Sequence, residues 1–243
     1  MGLNNYFIKK GKQTLKLYYT YIDTMNVDRM LSTFGSYMSK ERKKKIGRLR
    51  FERDKLQNFV SELLLHYCLR CEKILLNKKV VLKKGKYGKP YVEGVDVEVN
   101  ISHSGDLVVC IVNDSFVGVD IERYIDFDYS GILSLFHPIE QGYFEGLSGQ
   151  TSQELFFRLW SAKESYIKYL GQGLHCELNS FCCLICSDGS SVIINKDGVV
   201  AKNRLIMVDP SYVCVVCSGT NVLKKIEKHE VRIEDFEAKL GKF

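Results

Sequence analysis

The stretch Asn100–Glu122, NISHSGDLVVCIVNDSFVGVDIE, decides the fold. It holds two short, almost wholly apolar runs, Leu107 to Val112 and Phe116 to Ile121, each of strand length. Both are bounded by turn-forming residues. Asn113-Asp114 between them reads as the turn of a hairpin. Upstream, Val95 to Ile101 predicts another strand. Further upstream, Leu56, Phe59, Val60, Leu63, Leu64, Tyr67, Cys68 and Cys71 form one apolar stripe, which predicts a helix over 54–72. Downstream the order repeats. A short helical stretch over 136–146 and a long helix over 152–170 precede strands at Phe181–Ile185, Ser191–Ile194 and Tyr212–Ser218. Leu15, Leu17, Tyr19 and Tyr21 alternate in a first strand within 6–22, and the charged tail from Leu223 adds a last strand and helix. Helix then sheet, twice, predicts an α+β protein of two similar halves, 1–113 and 114–243, joined near Asn113 to Gly118.

The wider chain narrows the class. Its 243 residues are 45% hydrophobic and 26% charged, with three prolines and no Gly/Ser-rich linker, so a well-packed core is expected. The N-terminal segment lacks a continuous apolar region, and no run is long enough to span a membrane. Gly2 opens a myristoylation-like pattern, but Tyr6 stands where Ser or Thr is required. A cytoplasmic protein without membrane association is expected. Nine cysteines include three CxxC spacings, Cys68/Cys71, Cys183/Cys186 and Cys214/Cys217. None has a turn residue between its members. They read as small buried apolar residues in a reducing compartment, without zinc or disulfides.

Net charge is +6, and Lys40–Arg53, KERKKKIGRLRFER, carries eight basic and two acidic residues. Such a cluster suits a phosphorylated ligand, an acidic protein or a nucleic acid, or is simply a solvated helix face. Phe51 is its one aromatic, against the interleaving that single-stranded nucleic-acid binders use. Asp120 and Glu122, at period two, share one strand face. Adjacent carboxylates repel unless a proton or cation intervenes, and a hard ion such as Mg²⁺ would satisfy them; a solvated strand end is the alternative. On the second long helix, Glu164 and Lys168 are i, i+4 neighbours: a surface ion pair, or a third carboxylate and a phosphate partner. Ser102-His103-Ser104-Gly105 is a small-residue loop able to cradle phosphate. No Walker A sequence and no strand-linked GxGxxG occurs, so an ordinary ATPase or dinucleotide enzyme is not indicated.

YGKP (Tyr87–Pro90), NISHSG (Asn100–Gly105), GVDIE (Gly118–Glu122), FHPIE (Phe136–Glu140), LWSAKESYIK (Leu159–Lys168), GQGL (Gly171–Leu174) and VDPSYVCVVC (Val208–Cys217) occur in that order. As a set they resemble the Sfp-type 4′-phosphopantetheinyl transferases over about Lys40 to Ser218. The resemblance implies pseudo-twofold halves with the active site between them. It implies Mg²⁺ ligands at Asp120, Glu122 and Glu164, and coenzyme A contacts at Arg42, Lys45, Lys89, Ser102 and His103. Lys168 would lie close to the pyrophosphate, and Glu140 would be the base for the incoming serine. The implied reaction moves phosphopantetheine from coenzyme A to a serine of an apo-acyl or peptidyl carrier protein, releasing adenosine 3′,5′-bisphosphate. Two halves in one chain resemble the monomeric branch of the family. An arginine common in the family is replaced here by Gln57, followed by Asn58, leaving Arg53 or Lys55 as substitutes. The alternatives are a metal-dependent phosphohydrolase and a non-catalytic coenzyme A-binding protein.

Overall fold

The computed structural model describes residues 14–74, 80–85, 87–220 and 225–241. The readings made on the first thirteen residues lie outside these. The first half is built on α3 (Glu52–Cys71), the predicted amphipathic helix. It is buried over more than its apolar stripe, because α1 (Val27–Phe34), α2 (Lys40–Gly47) and the C-terminal α7 (Ile233–Leu240) all pack on it. The basic run is therefore a separate helix, α2, capped by Ser39, whose side chain accepts a hydrogen bond from the Arg42 amide.

Beneath α3 lies a four-stranded sheet in the order β11 (Lys225–Glu230), β1 (Thr14–Tyr21), β5 (Leu107–Asn113), β4 (Glu98–Ser104). β11 is parallel to β1 and the other pairings are antiparallel. A small antiparallel pair, β2 (Leu82–Lys84) and β3 (Pro90–Val92), precedes β4. The second half has a five-stranded sheet in the order β6 (Val117–Arg123), β10 (Tyr212–Ser218), β9 (Gly198–Leu205), β8 (Ser191–Asn195), β7 (Cys182–Ile185). α6 (Gly149–Leu170) covers it, after the short helices α4 (Ser130–Leu133) and α5 (Pro138–Gly142).

The layers follow from strand alternation. On β5, Val108, Cys110 and Val112 join the core under α3, while Leu107, Val109 and Ile111 join a central core between the sheets. On β10, Val213, Val215 and Cys217 face the α6 core, and Cys214 and Val216 the central one. Strands buried on both faces carry continuous apolar runs, which is why cysteines occur there as space-filling residues. All nine cysteines are free thiols.

Two expectations change. β5 and β6 are not a hairpin: β5 already has β1 and β4 on its two edges, so β6 crosses to the second sheet. The C-terminal segment, assigned by chain order to the second half, adds β11 and α7 to the first, because β1 has a free edge and α3 an uncovered apolar flank there.

Candidate active site

The two halves meet where edge strand β4 faces edge strand β6. Asn100, Ser102 and Ser104, alternate residues of β4, turn toward β6. Asn100 Oδ1 accepts from the Val119 amide (2.9 Å), Ser102 Oγ from Ile121 (3.3 Å) and Ser104 Oγ from Arg123 (3.1 Å). Side chains thus take the place of a strand ladder, and for Val119 and Ile121 they satisfy amides that would otherwise be buried unpaired. The two hydroxyls then donate onward, Ser102 to Asp120 Oδ1 (2.9 Å) and Ser104 to Glu122 Oε2 (2.7 Å). Ser102 is buried in this network, so a direct phosphate contact from it is not what the geometry shows. Ser102, His103 and Ser104 lie in strand β4 rather than in the expected loop, and period two points Ser102 into the junction and leaves His103 exposed.

On β6 the same alternation sends Val117, Val119 and Ile121 into the central core and Gly118, Asp120 and Glu122 toward α6. Gly118 lets the strand and helix touch backbone to backbone. A Cβ there would lie 1.9 Å from the Ser165 carbonyl oxygen and 2.6 Å from the Tyr169 amide nitrogen. This close approach brings the strand carboxylates to the helix side chains. Lys168 Nζ lies 2.6 Å from Asp120 Oδ1 and 2.8 Å from Ser102 Oγ. Trp160 donates to Glu122 Oε1 at 3.3 Å while its ring stacks in the line of Phe136 and Phe156. The sole tryptophan is therefore both core and carboxylate holder.

Burial, then the charge of Asp120, pushes the Glu122 carboxyl above its usual range. Burial also raises Glu164, with Asp120 adding to the shift against the opposing charge of Lys168. Asp120 Oδ2 is buried with no hydrogen-bond partner. Among the described residues, no three carboxylate, imidazole or thiol groups converge tightly enough to enclose an ion as they stand; Lys168 supplies positive charge to Asp120 instead. The donor set nevertheless fits a hard divalent cation: all oxygen, one atom unpartnered, and mutual repulsion that a cation would relieve.

A cleft of about 540 Å³ opens beside these groups. Glu164, Lys168, Trp160 and Lys89 line it, with Ile101, Ile167 and Leu178 as its apolar wall. Lys89 is fixed by Glu98 (2.7 Å) and by Gly171, the left-handed cap of α6, whose missing Cβ leaves room for the lysine chain. His103 keeps part of its surface in solvent, and its imidazole is held below its ordinary pKa by partial desolvation first and then by the charges of Lys168, Arg42 and Lys45. Lys45 is lowered by desolvation, Arg42 and Lys84. Arg42, Lys45, Lys84, His103 and Lys168 thus form one electropositive cluster, drawn from α2, β2, β4 and α6.

Glu140, expected to be the base, lies elsewhere in chemical terms. It is fully buried, 2.7 Å from the equally buried Lys163 ammonium. Its oxygens also accept from the His137 amide (2.9 Å), as part of a capping box, and from the Cys183 amide (2.7 Å). A carboxylate with these three donors and no solvent cannot receive a serine proton. Lys163 donates further to the Leu178 and Phe181 carbonyls, so the pair fastens α5, α6 and β7 together. Sequence reasoning missed Lys163; only its position one residue before Glu164, hence on another face of α6, hinted at burial. Gln57 donates to the Gly105 carbonyl (2.8 Å) and braces the β4–β5 turn. Neither proposed substitute is free, since Arg53 pairs with Asp106 and Lys55 with Glu52.

The same two-part organisation emerges from comparison with known proteins. Residues 26–115 match the family profile "4′-phosphopantetheinyl transferase, N-terminal", and residues 116–217 that of the 4′-phosphopantetheinyl transferase superfamily. The 4′-phosphopantetheinyl transferase gsp of Aneurinibacillus migulanus is 32% identical over 214 residues, 86% of this chain and 88% of that protein. Sfp of Bacillus subtilis (strain 168) is 27% identical over 207 residues, 84% and 92% of the two chains. Psf-1 of Bacillus pumilus is 28% identical over 199 residues, 81% and 85%. With its two matching halves, and with identity spread over most of its length, the chain belongs to the 4′-phosphopantetheinyl transferase family.

Proposed function

We propose that this protein transfers 4′-phosphopantetheine from coenzyme A to a serine of an apo-acyl or peptidyl carrier protein, with Mg²⁺ and with release of adenosine 3′,5′-bisphosphate. The observation that carries this reading is the meeting, at the junction of the two halves, of Asp120 and Glu122 with Glu164 and Lys168, the last two opening to the cleft, while the charges of Lys168, Arg42 and Lys45 act together on His103. Asp120, Glu122 and Glu164 would hold the metal, which when bound neutralises pyrophosphate charge. Arg42, Lys45, His103 and Lys89 bind and orient the phosphates of coenzyme A. Lys168, within reach of the carboxylates, stabilises charge on the leaving bisphosphate. With Glu140 enclosed by Lys163 and two backbone amides, the serine proton passes to solvent in the open cleft. The protein acts as a monomer in the cytoplasm; no described helix is long and apolar enough to cross a membrane.

The test is incubation with coenzyme A, Mg²⁺ and apo-carrier proteins, followed by mass measurement of the carrier and assay of released bisphosphate. Transfer is expected with wild type and absent in Asp120→Ala and Glu164→Ala, both folded. Carrier serine replaced by alanine stops release. Cleavage of coenzyme A at the same rate without any carrier would replace this reading by phosphohydrolysis.

A further inference from the structure

A carboxylate lies at the edge of the electropositive cluster. Glu62, on the buried face of α3, places Oε2 2.8 Å from Arg42 Nε, with only 8% of its side chain exposed. Arg42 is otherwise surrounded by like charge: it lowers the proton affinity of both His103 and Lys45. Long cationic side chains that repel one another spread over many rotamers and lose the fixed geometry that a phosphate site needs. A buried anion on one of them opposes that spread. The carboxylate sits against Nε as an ion-pair contact rather than a directed hydrogen bond, and it leaves the terminal nitrogens of the guanidinium for a phosphate, which arginine grips through paired N–H groups.

We propose that Glu62 is a positioning residue for the transferase: through its buried ion pair it holds Arg42 with its terminal guanidinium nitrogens toward the phosphates of the co-substrate. Glu62 touches no substrate. The role rests on the reading of the cleft as a coenzyme A site, and the experiment separates the two. A purely structural ion pair between α2 and α3 would affect melting alone.

Coenzyme A is titrated calorimetrically into wild type, Glu62→Gln, Arg42→Ala, Arg42→Lys and the Glu62→Gln/Arg42→Ala double variant, below the melting point of each, and kcat and KM are measured alongside. Positioning predicts that Glu62→Gln and Arg42→Lys each weaken binding about tenfold and raise KM, with kcat nearly unchanged. It predicts that Glu62→Gln adds no further loss in the Arg42→Ala background. Arg42→Lys keeps the charge but lacks Nε geometry, so it tests the orientation even if Glu62→Gln fails to fold. If Arg42→Ala weakens binding while Glu62→Gln and Arg42→Lys leave it intact, the positioning role is overturned and the site reading stands. If Arg42→Ala itself binds coenzyme A normally, both fall.

Discussion

At the scale of single residues, the same side-chain types do opposite work according to burial. Glu140 and Lys163 are fully enclosed, while Glu164 and Lys168 on the neighbouring face of α6 open to the cleft. Breaking the enclosed pair strands a charge in the core, which costs about 3–5 kcal/mol. Lys163→Met is therefore expected to lower the denaturation midpoint sharply. Glu140→Gln is expected to lower it too, yet to keep the kcat of the remaining folded protein. Loss of two or more orders of magnitude in kcat at unchanged stability, as removal of a base produces, would restore Glu140 to the chemistry. His103 offers a second test. Its folded pKa is depressed, so the neutral ring is favoured; its contribution to stability is complete above its ordinary value and falls as pH drops through that value. Phosphates that cancel the charges of Lys168, Arg42 and Lys45 raise this pKa, so binding takes up a proton and tightens as pH falls toward mild acidity. Calorimetry of coenzyme A binding in buffers of different ionisation enthalpy reads the uptake. His103→Gln should reduce it, and equal uptake in wild type and variant would remove His103 from the site.

At the scale of elements, the site is a consequence of one strand lying against one helix. Gly118→Ala inserts a methyl where the Ser165 carbonyl and Tyr169 amide already sit. Because neighbouring backbone rather than a flexible side chain must yield, the loss should reach or exceed the usual 1–3 kcal/mol of overpacking. Activity should fall beyond what unfolding explains, since Asp120 and Glu122 move relative to Glu164 and Lys168. Denaturant titration beside activity per folded molecule measures both; unchanged activity would show that the close approach does not set the site. The elements that could be read from sequence were those whose pattern is self-contained. The stripe of α3 and the period-two carboxylates of β6 need no knowledge of neighbours. α1 was missed because eight residues show only Val27, Met30 and Phe34 facing the core, too short a run for periodicity. β9 was missed because its buried positions, Ala201 and Asn203, are small or polar. Ser102 and Glu140 were legible as residues but not as roles, since each role depends on a partner element that packing alone supplies. Conversely, the β5–β6 turn was a sound local reading overruled by the lack of a free edge on β5.

At the scale of the whole molecule, the halves are coupled twice: by the side-chain ladder between β4 and β6, and by a tail that leaves the second sheet to complete the first. β11 lies parallel to β1 from Thr14 through Tyr19, and Val231, Phe236 and Leu240 are buried in the core beneath α3. Tyr37 donates to the Leu240 carbonyl (2.6 Å), and Arg70 to the carbonyls of Lys239 and Leu240. None of these residues lines the cleft, yet α2 and α3, which carry Arg42 and brace the β4–β5 turn, rest on the core they close. Phe236→Ala should cost about 3–5 kcal/mol, as expected for removing a fully buried aromatic ring. Ending the chain after Ser218 should expose the edge of β1 and the flank of α3 together, giving an aggregating protein with no coenzyme A binding. The second half keeps α6 and its own sheet, so proteolysis of the truncated chain should degrade the segment before β6 first and leave β6–β10 the more resistant. A severed tail supplied in trans as a peptide spanning 219–243 should restore solubility and coenzyme A binding together, because it contributes fold rather than chemistry. Full solubility and wild-type coenzyme A affinity in the truncated chain without the peptide would show that the tail is an appendage, and that the first half stands on α3, β1, β4 and β5 alone.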